Sequence, residues 1–497
     1  MRRKIAVIGA GYGGLRFFVD SLELAVLGGL AGGVEYIFFD ERPRKEYGRG
    51  VAWASDQNHH MRANMHSPEI QIDPDAHETV GRILGIQYDH KPTANELFTQ
   101  REKIGAMFEA QFNSAVQHAN EAGIKFTSHE DRVVDVCAQG IGYQITTRAG
   151  TVEYADFVVI ALGHIPPTNY KHLFHKPGYI RNPWHRAKPF SDINSDSRVG
   201  LLGLGPTAVD VIITLRDQGV KKIRGYSRTG AMQYPRPIPK KLEPRVFTED
   251  NLLRVATLNG GLTLDLMLGM LAAEFLTQDV DWQPLLAAIK TSEDVPLNSL
   301  RIGYANCNKE SNWFGLCTAL TGCIPIIWHT IKDNEREKFL ALQRKISNVL
   351  YGMAPSHALR MLAELEARSL EVFGGITHVE AVSEGARFHI SRESGVEVIR
   401  DELDFVIDCT GFGTDITLSE SDLIKSILKR EIVTPHPFGG ANVDFESGQV
   451  RSPTSGRQHR IFVTTGTLNI GTRLATNGLG EVAWSARRTA NAIHKLL

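Results

Sequence analysis

Two glycine-rich turns, each directly after a short apolar run, constrain the fold of this chain more than any other feature of its sequence. The first is GAGYGG at positions 9–14, after IAVI, and the second is GLGPTA at positions 203–208, after VGLL. An apolar strand that enters a GxGxxG or GxGxxA turn and then a helix is typical of a dinucleotide-binding βαβ unit. The sequence therefore predicts an α/β fold with two Rossmann-like dinucleotide-binding domains.

Further apolar runs, bounded by glycine or polar residues, predict the strands of these domains. Continuous runs of this kind suit strands that are buried on both faces of a parallel sheet. We predict strands at Ile5–Ile8, Tyr36–Phe39, Phe157–Ala161, Val199–Leu202, Phe405–Asp408 and Ile461–Thr464.

In the first turn, Gly9, Gly11 and Gly14 stand where this motif requires glycine. The three positions serve the tight turn, the approach of the backbone to a pyrophosphate, and the packing of helix on strand. The helix that follows offers free N–H groups to the phosphates. The next predicted strand ends at Asp40, whose carboxylate would accept hydrogen bonds from ribose hydroxyls. This combination suits FAD.

In the second turn, the corresponding positions are Gly203, Gly205 and Ala208. The strand predicted next, within KKIRGYSRTG, ends in no acid and carries Ser227 and Arg228 instead. An arginine there can pair with the 2′-phosphate of NADPH, which a carboxylate would repel. A solvated surface arginine is the competing interpretation. The two turns together predict FAD and NADPH as cofactors, with hydride passing from nicotinamide to flavin.

The composition excludes several other classes of protein. The 497 residues carry a net charge of −1, so the chain lacks the basic surface that nucleic acids require. Five cysteines without a CxxC pair indicate neither a zinc site nor a disulfide framework. The apolar stretch 262–276 contains two acids and is too short to span a bilayer. We predict a soluble, cytoplasmic protein with no metal, nucleic-acid or membrane partner.

Several further motifs point to one family. KEYGRGVAWA, at 45–54, resembles a GxGxAY signature with tryptophan in place of tyrosine, and FTQREKIGAMF resembles an F-x-x-R-x-x-x-G helix. VVIALGHIPP and VIDCTGFGTD resemble two ATG strands, and FVTTGTLNIGTRLATNGLGEVAWSA resembles a flavin-capping loop and last helix. The whole chain is similar to the two-dinucleotide-binding flavoproteins that include the flavin-dependent N-hydroxylating monooxygenases. Within these it resembles the bacterial FAD/NAD(P)-binding branch that includes aspartate N-monooxygenases forming nitrosuccinate.

The resemblance implies further cofactor-binding positions and a domain plan. By their places in these motifs, the residues implied to approach the cofactor are Gly50, Trp53, Arg101, Gly163, Gly411 and Gly466. A discontinuous FAD-binding domain is implied at 1–195 plus 400–497, with the NADPH-binding domain at 196–399 between its parts. Helical periodicity predicts a largely helical insertion in the second domain, at about 243–370.

The resemblance also implies an activity. We expect an FAD-dependent, NADPH-consuming monooxygenase that acts through a C4a-peroxyflavin on the amine nitrogen of a small amino acid. L-aspartate is the favoured substrate, with O₂ as co-substrate and an N-hydroxy, nitroso or nitro product. This chemistry is centred on the flavin, so we predict no catalytic side chain.

A small dicarboxylate would need cationic clamps, preferably arginines that bind carboxylates in a bidentate manner. Arg473, inside the predicted flavin-side loop, is the first candidate. Arg62, with Asn64 and His66 beside it, is the second, and Arg301 is the third. For each arginine, the competing interpretation is a surface or phosphate-pairing role.

Other classes of protein stay open at this point. An NAD(P)H-dependent flavin oxidoreductase that passes electrons to a quinone or another acceptor is the main alternative. A disulfide reductase is disfavoured, because the nearest cysteine pair, Cys317 and Cys323, is separated by five residues. A redox sensor that binds nucleotides without turnover would give Arg228 no clear purpose.

Overall fold

Strands and helices alternate along the chain as βαβ units require. The computed structural model describes residues 2–73, 78–86, 93–184, 190–382, 387–395, 397–451 and 459–497. The strands are β1 (Arg3–Ile8), β2 (Val34–Phe39), β3 (Gln71–Asp73), β4 (Glu78–Thr79), β5 (Lys125–His129), β6 (Val133–Gln139), β7 (Gly142–Thr147), β8 (Val152–Ala155), β9 (Phe157–Ile160), β10 (Tyr179–Ile180), β11 (Val199–Leu202), β12 (Ile223–Tyr226), β13 (Ile238–Pro239), β14 (Glu310–Ser311), β15 (Leu370–Phe373), β16 (Ile376–Ala381), β17 (Phe388–Ser394), β18 (Glu397–Leu403), β19 (Phe405–Asp408) and β20 (Ile461–Val463).

The helices connect these strands and form the middle of the chain. They are α1 (Tyr12–Leu27), α2 (Val80–Ile83), α3 (Arg101–Glu121), α4 (Pro206–Asp217), α5 (Glu249–Leu258), α6 (Leu264–Thr277), α7 (Gln283–Ser292), α8 (Pro296–Asn306), α9 (Asn312–Leu320), α10 (Ile324–Thr330), α11 (Arg336–Leu350), α12 (Pro355–Glu366), α13 (Asp422–Lys429), α14 (Ile470–Arg473) and α15 (Leu479–His494). Among the described helices, none combines the length and the apolar character needed to cross a membrane.

The first domain is built on a five-stranded parallel sheet in the order β20-β9-β1-β2-β5. Alternate side chains of β1 enter two different cores: Ile5 and Val7 face α1, α3 and α15, whereas Ala6 and Ile8 face β6–β8 and α13. Burial on both faces explains why these strands are continuous apolar runs in the sequence. All six predicted strands are confirmed, and each observed boundary lies within two residues of the predicted one.

The second domain repeats this plan with a parallel sheet in the order β10-β19-β11-β12-β15. In each domain a three-stranded antiparallel sheet, β6–β8 or β16–β18, leads into the returning parallel strand, β9 or β19. The two glycine turns therefore belong to two copies of one structural unit, and the predicted two-domain α/β fold is confirmed.

The chain crosses between the domains twice, and the two crossings contact each other. Ile165 pairs with Gly413 in an antiparallel bridge, and the rings of His164 and Phe412 stack with centroids 3.4 Å apart. The second sheet takes β10 and β19 from outside 196–399. The predicted boundaries at 195/196 and 399/400 would therefore divide this sheet.

The middle of the chain forms a helical layer from α5 to α12, in the region predicted as a helical insertion. Its core contains Trp328 and Leu316 together with Phe445 from the C-terminal part of the chain. The indole Nε1 of Trp328 donates to the carbonyl oxygen of Gly471 at 2.7 Å. The helical layer thus covers the C-terminal loop of the first domain.

Candidate active site

The geometry of the first turn explains each of its predicted glycines. Gly9 has φ +106°, and a Cβ there would overlap the carbonyl oxygen of Ala161. A Cβ at Gly14 would overlap the carbonyl oxygen of Gly9, and one at Gly11 would lie 3.2 Å from the Cα of Gly50. Helix α1 starts after Gly11 without a side-chain cap. Its first N–H groups therefore remain available to phosphate oxygens.

Asp40 lies at the end of β2, beside this turn. Its carboxylate accepts from the backbone N–H of Ala10 at 2.8 Å and from Arg42 Nη2 at 2.8 Å and Nε at 3.0 Å. Burial opposes ionisation of Asp40, but the hydrogen bonds and charge of Arg42 outweigh it and lower the pKa of the carboxyl. Asp40 is thus an ionised acceptor where a ribose is expected. Arg42 was not predicted, although an arginine two residues after the strand-ending acid is visible in the sequence.

The GRGVAW segment packs between this turn and helix α3. Gly50, with φ +72°, lies against the turn. The ring of Trp53 meets Phe108 edge-on, with centroids 6.0 Å apart. A Cβ at Gly105 would overlap the carbonyl oxygen of Trp53, so the glycine of the F-x-x-R-x-x-x-G helix permits this contact.

Gly163 and Gly466 bring the segments after β9 and β20 together. Both have positive φ, +74° and +78°, and a Cβ at Gly466 would overlap the carbonyl oxygen of Gly163. The N–H of Thr467 donates to Gly163 O at 3.2 Å, and its hydroxyl accepts from the N–H of Ile165 at 3.0 Å. Gly411, with φ +104°, follows β19 in the same way that Gly163 follows β9. No described atom lies within 4 Å of the Cβ position of Gly163 or Gly411.

The second turn has the same architecture as the first. Gly203 has φ +93°, and its Cβ position lies 2.6 Å from the carbonyl oxygen of Cys409. Gly205 precedes α4 without a side-chain cap, and its Cβ position has no described atom within 4 Å. Ala208 is fully buried where the first turn has Gly14. A second dinucleotide phosphate would fit at the open N-terminus of α4.

The side chains after β12 are those predicted to meet the 2′-phosphate of NADPH. The hydroxyl of Ser227 accepts from the N–H of Gly230 at 2.8 Å, so this residue closes the loop. Arg228 is exposed, and its side chain forms no ion pair with any described residue. Its guanidinium is therefore available to an anionic ligand.

The Arg228→Ala variant is expected to raise the KM for NADPH by about 10- to 100-fold, because a charge-assisted contact to the 2′-phosphate is lost. The KM for NADH is expected to stay unchanged, since NADH lacks that phosphate. Lys222→Ala, which removes an exposed cation just before β12, is the matched control. An equal rise in the KM for NADPH and for NADH would contradict the assignment of Arg228 to the 2′-phosphate.

Three of the predicted site residues meet the second domain at one narrow cleft, which has room for about one water molecule. Arg62, Asn64 and Arg101 of the first domain line it together with Pro206 and Asp210 at the start of α4. Arg62 Nη1 donates to the carbonyl oxygen of Phe98 at 2.7 Å. Arg101 Nη2 lies 3.0 Å from Asp210 Oδ2, so this predicted flavin contact forms an ion pair with the neighbouring domain.

Arg236, which was not predicted, reaches the same region from the second domain. It is 2% exposed, its Nη1 donates to the carbonyl oxygen of Asn64 at 2.8 Å, and its guanidinium lies 4.9 Å from the ring centroid of Phe314. His66 is buried nearby, with its ring 4.5 Å from that of Phe98. No periodicity or motif marks Arg236, and only the tertiary structure shows its contact with Asn64.

Arg473, the first predicted carboxylate clamp, is held by partners within the C-terminal region. It is 1% exposed, and its guanidinium donates to the carbonyl oxygen of Phe445 at 2.6 and 3.0 Å and to the hydroxyl of Ser485. Burial lowers the pKa of Arg473 to about 10. All three guanidinium nitrogens bond within the C-terminal region, which favours a structural role over the predicted carboxylate clamp.

Arg301, the third predicted clamp, lies on the surface of α8. Its side chain is 57% exposed, and Nη2 lies 2.7 Å from Glu366 Oε1. A carboxylate of the protein already holds this guanidinium, and it does not line the cleft formed by Arg62, Asn64 and Arg101.

The sequence and fold can now be compared with known proteins. Residues 6–165 match the FAD-NAD(P)-binding family model. Among curated proteins, no sequence matches this chain. The match covers the first turn, Asp40, Arg101 and Gly163, and it confirms that this part of the chain is an FAD/NAD(P)-binding domain.

Solved structures share the fold over the full length. L-lysine 6-monooxygenase from Pseudomonas syringae aligns with a TM-score of 0.59 at 13% identity, covering 99% of each chain. Ornithine hydroxylase from Pseudomonas aeruginosa aligns with a TM-score of 0.55 at 12% identity, covering 100% of this chain and 99% of that one. The ornithine N-hydroxylase of Kutzneria sp. 744, with reduced FAD, NADP⁺ and L-ornithine, aligns with a TM-score of 0.54 at 13% identity, covering 100% of each.

Fold and site together define the class of protein. The chain has the fold of the flavoproteins with two dinucleotide-binding domains, as predicted. Its first domain is of the FAD-NAD(P)-binding type, and the resemblance to N-hydroxylating flavoproteins is confirmed at the level of the fold.

Proposed function

We propose that this protein is an FAD-dependent, NADPH-consuming monooxygenase that hydroxylates the amine nitrogen of a small amino acid. The observation that carries the proposal is the pair of dinucleotide turns, one in each of two domains that meet in a cleft, in a chain that shares its full-length fold with three amine-oxidising flavoenzymes. The overall reaction consumes the amine, O₂, NADPH and a proton. It yields the hydroxylamine, water and NADP⁺.

Different residues of the chain would bind the two cofactors and exclude water. Bound FAD would supply the oxygen-activating chemistry, and NADPH would supply the hydride. The first turn and Asp40 would hold the one dinucleotide, and the second turn and Arg228 would hold the other. The helical layer, joined to the C-terminal loop by the hydrogen bond of Trp328, would keep bulk water from the flavin.

The position of Arg62 beside this cleft supports a substrate that carries a carboxylate. Arg62 lies where the two domains meet, and its hydrogen bond to a described residue goes to the neutral carbonyl oxygen of Phe98. Guanidinium groups with neutral partners can still bind a carboxylate. We therefore keep L-aspartate as the favoured substrate, with Arg62 as its clamp in place of Arg473.

The test is NADPH consumption by the flavin-loaded enzyme in air, with L-aspartate first in a panel of small amines and with peroxide measured in parallel. We expect one amine to raise the rate of consumption by about tenfold or more, because oxygen transfer then completes each turnover. Peroxide release should stay low, and mass spectrometry should find the amine heavier by one oxygen atom.

Two results would contradict this function. One is NADPH consumption that yields only peroxide with every amine. The other is consumption that depends on an added quinone, which would make the chain a flavin oxidoreductase that passes electrons to an acceptor. Oxidation of a neutral or cationic amine, with no effect of L-aspartate, would leave the reaction type in place and overturn the assignment of Arg62 as a carboxylate clamp.

A further inference from the structure

A buried ion pair joins the two dinucleotide-binding domains. Arg101 is the first residue of α3 in the first domain, and Asp210 lies in the first half of α4, the helix that follows the second glycine turn. Nη2 of Arg101 lies 3.0 Å from Oδ2 of Asp210, and the side chains are only 9% and 2% exposed. Neither the dinucleotide motifs nor the proposed reaction assigns a role to Asp210.

The same contact area extends along one stretch of the first domain, residues 58–64, which we call the docking segment. Arg101 Nε donates to the carbonyl oxygen of Arg62 at 3.0 Å. Asn58 Nδ2 donates to Oδ2 of Asp217, at the far end of α4, at 2.7 Å.

Two further contacts reach the docking segment from the second domain. Arg236 Nη1 donates to the carbonyl oxygen of Asn64 at 2.8 Å, and Nε2 of His357 lies 3.0 Å from the carbonyl oxygen of His60. The segment is therefore fastened to the second domain along its whole length, and α4 contributes both Asp210 and Asp217.

The free-energy balance of a buried ion pair indicates whether it stabilises the fold or fixes a position. Removing two charges from water costs about as much as their attraction returns, so a buried ion pair adds little stability over apolar residues of the same shape. What it does specify is one relative position, because moving the partners apart would leave each charge buried and unpaired. Here the specified position is that of α4 against α3. Helix α4 would carry the phosphates of NADPH at its N-terminus, and a shift of the helix would move the nicotinamide relative to the flavin.

We propose that Asp210 is a positioning residue, which through its ion pair with Arg101 holds the NADPH-binding helix in register for hydride transfer to the flavin. The charge of Asp210 fixes the relative position of the two domains and does not change the affinity for either dinucleotide. This inference rests on the two-dinucleotide part of the proposed function and is independent of the identity of the amine.

The test is a double-mutant cycle of Asp210→Asn and Arg101→Gln with two measurements. The first is amide hydrogen exchange of the docking segment in the purified protein without added nucleotide. We expect either single variant to speed exchange there by about tenfold or more, since the local contact opens more often. The second is the rate constant of flavin reduction by saturating NADPH without oxygen, which should fall by about tenfold or more because misplacement of reacting atoms is costly. The Kd for NADPH should change by less than about threefold.

The cycle separates a shared contact from two separate roles. If the pair acts as a unit, the double variant is no slower than the slower single variant. The double variant also has no buried charge without a partner, so both measurements can be made on it even if Asp210→Asn alone fails to fold. Additive losses in the reduction rate would overturn the proposal, because Arg101 would then act on the flavin independently of Asp210.

Glu364→Gln is the matched control. It breaks the 2.7 Å ion pair between Glu364 and Arg216, which holds the C-terminal half of α4 within its own domain. In this control we expect amide hydrogen exchange in the docking segment and flavin reduction by NADPH to proceed at the rates of the parent enzyme. The proposal would be overturned if Asp210→Asn showed the same amide exchange and the same flavin reduction rate as this control. A parent enzyme whose flavin NADPH does not reduce would overturn the proposed function instead, and the exchange measurement would still decide whether the pair fixes the domains.

Discussion

The Arg473→Ala variant is expected to lose about 3–5 kcal/mol of its free energy of unfolding. The guanidinium donates to the carbonyl oxygen of Phe445 and the hydroxyl of Ser485, and the side chain is 1% exposed. Water cannot replace these partners, so alanine leaves buried acceptors unpaired and a cavity beside the Trp484 ring, which the guanidinium carbon faces at 5.2 Å. Urea unfolding followed by circular dichroism measures the loss.

Arg488→Ala is the control for this prediction. Its guanidinium faces the same Trp484 ring at 4.2 Å, but the side chain is 24% exposed and pairs with Glu249 at 3.5 Å and with the more exposed Glu446. Partly exposed ion pairs of this kind each contribute about 1 kcal/mol or less. If Arg473→Ala kept the parental stability and raised the KM for a carboxylate substrate, Arg473 would be the substrate clamp that the sequence predicted.

The Gly466→Ala variant is expected to retain less than about one tenth of the parental FAD, because a Cβ there has no space and the backbone must move. Gly466 has φ +78°, and its Cβ would overlap the carbonyl oxygen of Gly163, which is a backbone atom with no rotamer to change. Separating the two segments would also break the 3.0 Å hydrogen bond between Ile165 and Thr467. The ratio of flavin to protein absorbance after gel filtration measures the effect.

Gly480→Ala provides the comparison at a glycine without such constraints. Its Cβ position has no described atom within 4 Å, and it lies in the first turn of α15. Alanine is favoured over glycine in a helix by about 1 kcal/mol, so this variant should bind FAD as the parent does and unfold no more easily. Full FAD content in Gly466→Ala would show that the Gly163 contact does not shape the flavin site.

The parts of the fold that depend on short stretches of chain were predicted best. Gly9 and Gly203 have positive φ, and a Cβ at Gly14 would overlap the carbonyl oxygen of Gly9 within the same turn. Strands β11 and β19 were predicted to the residue, because burial on both faces makes them continuous apolar runs. Asp40 lies beside the first turn as the motif requires, and its pairing with Arg42 adds a local partner.

The roles of the arginines could not be predicted from short stretches of sequence. Arg62 and Arg101 share a cleft with α4, although more than a hundred residues separate these positions in the sequence. Arg473 stands in the predicted loop, yet its partners Phe445 and Ser485 turn it inward. Arg236 and Asp210 carry no local signal, since an arginine between prolines and an aspartate in a helix are common on surfaces.

By itself the sequence determined the two dinucleotide turns, the strands that precede them and the α/β class. These follow from backbone sterics at glycine and from hydrophobic periodicity, which act within a few neighbouring residues. The tertiary structure alone decided which arginine is buried, which one lines the cleft and which acid joins the domains. A charged side chain takes its role from the partners and the solvent that it meets after folding, and those partners come from distant parts of the chain.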